Sequence, residues 1–165
     1  MRTFFAVTIL GLCLVLCTGT ASAQATAQQT VTMNVNAVQL IAVSGNPGAL
    51  TLATIAAAGD SVYTPTTDAS TTYSITQNVG VSRITAQIDQ NMPAMLALEV
   101  QLASARGTSA GLVDISSAAA AQDVVTAIAR GADQNQTITY QFSGSTGAGT
   151  FTNLQRIVTL TLTSP

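Results

Sequence analysis

Apolar and polar residues alternate along most of this chain with a period near two, the period of strands rather than helices. In 71–77, Tyr73 and Ile75 stand between polar neighbours. In 81–89, Ile84, Ala86 and Ile88 alternate with Arg83, Thr85, Gln87 and Asp89. The cleanest half-buried strand is 95–103, where Leu96, Leu98, Val100 and Leu102 alternate with Ala97, Glu99 and Gln101. Further on, 137–143 sets Ile138, Tyr140 and Phe142 against Thr139 and Gln141, and 156–163 sets Val158, Leu160 and Leu162 against Thr159, Thr161 and Thr163. Near the start, Val31, Met33 and Val35 alternate with Thr32, Asn34 and Asn36, but Val38 and Leu40 fall on the other parity. One extra residue swaps the faces of a strand, so 30–43 predicts a strand with a bulge near 36–38. Shorter strands are predicted at 49–54, 112–115 and 123–129. Between them, 44–48, 91–93, 105–111 and 131–136 read as turns or loops, 55–68 as a loop, and 144–149 as a hairpin loop. The alanines of 116–121 suit one helical turn, too short to stand alone.

Eight or nine short strands separated by turns predict an all-β chain. The architecture they imply is an antiparallel immunoglobulin-like β-sandwich, with a jelly roll or small barrel as the alternative. No linker or internal repeat divides it.

The first residues stand apart from this pattern. Arg2, an apolar run over 4–17 and the small residues Ala21, Ser22 and Ala23 make a three-part signal peptide over 1–23, which leaves 24–165 as a single domain. Cleavage removes both cysteines, Cys13 and Cys17, so no disulfide is expected and the core alone must hold the fold. The chain is then expected to be secreted, to the periplasm or cell surface, with no membrane attachment after cleavage.

Charge and chemistry narrow the function further. Arg83, Arg106, Arg130 and Arg156 are scattered and face seven acids, so the clustered positive charge that nucleic-acid binding needs is missing. The exported chain has no His, Cys, Lys or Trp. Nucleophilic triads and a structural zinc site lose their usual residues on that account. Asp60, Asp68, Asp89, Glu99, Asp114, Asp123 and Asp133 leave paired-carboxylate chemistry formally open, but they read as acids on solvated faces and loops. No enzyme and no cofactor is expected. Asp133 and Asn135 offer hard oxygen ligands for calcium without an acid-rich loop pattern.

Two stretches carry a resemblance: Thr30-Val31-Thr32-Met33-Asn34-Val35, and Val158-Thr159-Leu160-Thr161-Leu162-Thr163. With the signal peptide they resemble bacterial secreted β-sandwich proteins of the spore-coat-U-like and archaic chaperone–usher pilin type. The resemblance implies a non-catalytic structural subunit of a surface fibre or coat. In such pilins an N-terminal segment of one subunit adds a strand to the next, and main-chain pairing supplies the affinity. It implies Val31, Met33 and Val35 as donor residues, and Val158, Leu160 and Leu162 as the strand that a periplasmic chaperone or a neighbouring subunit pairs with. The expected partners are further copies of the chain or related surface subunits. The chain departs from the pattern in the polar 24–29 and in lacking the cysteines common in spore-coat-U-like domains. The alternative is an extracellular binding module for carbohydrate or a surface protein, with Tyr63 and Phe151 as the loop aromatics.

Overall fold

The computed structural model describes residues 25–164. The leader read over 1–23, with both cysteines, lies outside the described residues, as do Gln24 and Pro165. The chain divides into two units, with the boundary in sequence between Asn34 and Val35. Residues 25–34 carry no strand or helix, and every one is exposed.

The unit beginning at Val35 is all-β, and every strand pairing in it is antiparallel. Its strands are β1 (Gln39–Val43), β2 (Thr66–Gln77), β3 (Ser82–Ile88), β4 (Leu96–Leu102), β5 (Thr108–Ser109), β6 (Val113–Asp114), β7 (Gln122–Ile128), β8 (Gly131–Gly144) and β9 (Val158–Thr163). One sheet has the order β1-β2-β8-β4-β6, the other β5-β7-β3-β9. From β2 onward each successive strand lies in the other sheet. Segment 144–149 is therefore no hairpin loop. It holds a short 3₁₀ turn, Thr146–Ala148, and belongs to the connection between the sheets.

The alternation seen in the sequence sorts side chains by face. In β3 the inward positions Ile84, Ala86 and Ile88 are buried, as are Val100 and Leu102 in β4 and Ile138 and Tyr140 in β8. With Tyr73, Ile75, Ile115, Val124, Val125 and Ile128 they form one buried cluster drawn from both sheets. Each such aliphatic side chain contributes roughly 1.5–3 kcal/mol relative to exposure.

Further sequence expectations change. β2 begins at Thr66, inside the loop read over 55–68, and β5 lies inside the loop read over 105–111. The strand read over 30–43 is confined to Gln39–Val43. The strand expected over 49–54 is absent, and only isolated bridges join Ile55 to Tyr63 and Val62 to Ser145. The alanines at 116–121 form a turn and no helix. The polar stretch 131–136, read as a turn, is the first half of β8. A bulge explains that last difference. The β2–β8 register shifts between Tyr73 and Ile75, so Ser74 faces Gln134 and Asn135 together. Asn135 takes a positive φ of 52° there, a conformation Asn tolerates better than most residues. Its N–H is held by Ser74 Oγ at 3.0 Å. Asp133 points inward and is only 4% exposed, a polar side chain where periodicity looks for an apolar one.

Candidate assembly edge

β1 and β9 are the edge strands on one side of the two sheets. Neither carries a charge or a proline, the usual guards of a free edge. On β9, Val158, Leu160 and Leu162 face inward, opposite Ile88, Ala86 and Ile84 of β3. Those three β3 residues are at most 2% exposed, whereas the β9 residues are only half-buried against the core. β1 repeats the contrast: Val43 is 54% exposed although its partner Tyr73 is 1% exposed, and Ile41 is half-buried opposite buried Ile75. The inner faces of both edges are thus open where the strands beside them are closed.

The far side of the fold is different. There the edges are β5 and β6, two residues each. Ile115, just past β6, is 1% exposed, and Val100, Val124 and Val125 behind these edges are fully buried. Val113 of β6, opposite buried Val100, is half-buried as well, so the β1/β9 side differs from the far side in the length of its edges, five and six residues against two.

A polar cluster bounds one end of the opening. Gln39 at the start of β1 donates from Nε2 to Ser82 Oγ at 3.2 Å and to Ser164 Oγ, just past β9, at 3.1 Å. Ser82 Oγ donates in turn to Gln77 Oε1. Gln77 Nε2 donates to the carbonyls of Ile128 at 2.9 Å and Ala129 at 3.0 Å. Gln77 and Ser82 are almost completely buried, and this chain of bonds meets the requirement that buried polar groups be paired. Because the start of β1 meets the end of β9, the two edges run in opposite directions along the opening.

Of the residues the sequence singled out, Val158, Leu160 and Leu162 line this edge. Val31, Met33 and Val35 are 68%, 83% and 89% exposed and belong to no strand. The calcium candidates have other roles: the Asp133 carboxylate accepts from Ser104 Oγ at 3.1 Å and from Ala105 N–H at 2.9 Å. Tyr63 borders a shallow cavity of about 470 Å³ with Asp60 and Pro65. Asp60 turns back to accept from Ala57 N–H at 3.0 Å. Phe151 is half-exposed and does not line that cavity.

Sequence reasoning missed Ile41, Val43, Gln39 and Asn78. The signal for β1 was its lack of any charge. Asn78 follows β2 directly, and its contacts with the chain ahead of β1 have no counterpart in periodicity. Comparison with known proteins finds no matching family model, no matching curated protein and no matching solved structure.

Proposed function

We propose that this chain is a secreted, non-catalytic structural subunit of a surface fibre or coat, built as an immunoglobulin-like β-sandwich whose β1/β9 opening receives a strand. The single observation that carries the reading is that opening: two neighbouring uncharged edges, five and six residues long, with half-buried core residues along them. An added strand gains main-chain hydrogen bonds along a free edge and buries alternate side chains. The segment just before β1 suits that role. Val31, Met33 and Val35 are exposed, alternate with polar residues and carry no charge. The acceptor residues are Val158, Leu160 and Leu162 on β9 with Ile41 and Val43 on β1. A periplasmic chaperone that covers β9 until assembly fits the same surface, and the donors are further copies of the chain or related subunits.

Met33→Asp tests the reading. Met33 is 83% exposed, so the variant should fold with an unchanged melting temperature. Assembly, read by light scattering, should be lost, because an unpaired charge would have to enter an apolar opening. A variant that assembles like the parent would overturn the reading, and one that unfolds would place Met33 in its own core.

The cavity at Tyr63 supports carbohydrate binding as a second reading. Glycan-array binding that disappears in Tyr63→Ala would favour it.

A further inference from the structure

Asn78 stands immediately after β2 and acts on the chain just ahead of β1. Its backbone N–H donates to the Val38 carbonyl at 3.1 Å. Its side chain makes two more bonds: Oδ1 accepts from Val38 N–H at 2.7 Å, and Nδ2 donates to the Asn36 carbonyl at 2.7 Å. A primary amide offers a carbonyl acceptor and N–H donors side by side. One side chain thus stands in for a further peptide group of the ladder. Asn36 and Val38 are held in line with β1, although β1 itself begins only at Gln39.

This bears on where 29–35 can go. To enter the opening of its own chain, the segment must reverse within residues 36–38 and lie antiparallel to β1. Since β1 and β9 run in opposite directions, it would then lie parallel to β9, the slightly weaker pairing. That reversal needs the three residues as its loop, and the Asn78 amide holds the first and last of them as ladder. A segment from a second copy meets neither restriction. It is free to run antiparallel to β9, with Val31 opposite Leu162, Met33 opposite Leu160 and Val35 opposite Val158. The same register brings Gln29 opposite Ser164, beside the Gln39 amide. The polar end of the segment then meets the polar end of the opening, and three apolar residues meet three apolar residues.

We infer that Asn78 is a positioning residue that makes strand donation intermolecular: by holding residues 36–38 in line with β1 it denies 29–35 the opening of its own chain and commits it to that of a second copy. The inference rests on the assembly reading above.

The experiment uses the exported chain carrying Met33→Cys and Leu160→Cys, with Asn78 intact or replaced, treated with a short bis-maleimide that bridges neighbouring strands in either register. With Asn78 intact, the denaturing gel should show a ladder of linked chains and no internally linked monomer. Asn78→Ala should give a several-fold rise in internally linked monomer at the expense of the ladder, with faster hydrogen exchange at Val38. Asn78→Asp keeps the acceptor for Val38 and loses the donor to Asn36, so it should fall between the two. A ladder unchanged by Asn78→Ala would overturn the role of Asn78 and leave the assembly reading standing. No linkage of either kind with Asn78 intact would overturn both. A purely structural Asn78 would lower the melting temperature without moving product from ladder to monomer.

Discussion

Gln77 is held by more of the structure than its type suggests. Its side chain is 2% exposed and satisfies Ser82 and the carbonyls of Ile128 and Ala129. Gln77→Ala leaves buried acceptors and a hydroxyl without partners, each costing about 1–3 kcal/mol. The expected result is a stability loss of roughly 2–4 kcal/mol, measured by urea denaturation. Tyr73 offers a second test. Its ring is buried and its hydroxyl donates to the Ala103 carbonyl at 2.6 Å. Burial pushes its pKa from 10.0 up to about 12, with the nearby Asp133 carboxylate adding in the same direction and a hydrogen bond with Ser104 opposing. A folded pKa above the unfolded one gives stability that is fully present below pH 10 and is lost as pH rises through about 12. Thermal melts across that window should show a falling midpoint that Tyr73→Phe diminishes. At this scale the sequence was partly legible. Gln77 shares the parity of Tyr73 and Ile75, so its inward face was readable although it was not read, whereas its partners across the fold have no trace in spacing.

Strands with regular alternation, such as β3, β4 and β9, lie within two residues of where the sequence predicts them, because each buries one face. Irregular strands were harder to read, for a physical reason. In β7 the adjacent Val124 and Val125 are both fully buried. The β3–β7 register shifts on either side of Ile84, and Ala127 takes a positive φ of 54°. An extra residue in a ladder defeats a strict period. Long-range fit also goes unseen. Gly107 lies so close to β7 that a Cβ there would meet the Thr126 carbonyl oxygen and Val125 Cγ1, each at 2.8 Å. Gly107→Ala must therefore displace backbone, and an overpacking loss of about 1–3 kcal/mol is expected in denaturant titrations. The candidate edge was half legible. β9 was found from its alternation, but the partial exposure of its inner residues depends on what lies beside it in space.

Across the whole molecule, each step from β2 to β9 changes sheet. A period of two tells which face a residue takes and says nothing about which strands become neighbours, so this topology was not readable from the sequence. It has a kinetic consequence. Nearly all pairings join distant parts of the chain, and such folds form in milliseconds to seconds, roughly, rather than microseconds. Stopped-flow refolding should show this slow range. Uncharged edges would stay exposed throughout, a state prone to wrong pairing, which suits a subunit escorted until its opening is filled. Under the proposed reading the β1/β9 opening is filled by another copy, and light scattering with negative-stain microscopy on residues 24–165, beside a variant lacking 25–35, tests this. The expected result is a series of oligomers or filaments that the deletion abolishes while β2 to β9 stay folded. A stable monomer at every concentration, with β9 edge amides already protected from exchange and unaffected by the deletion, would contradict it.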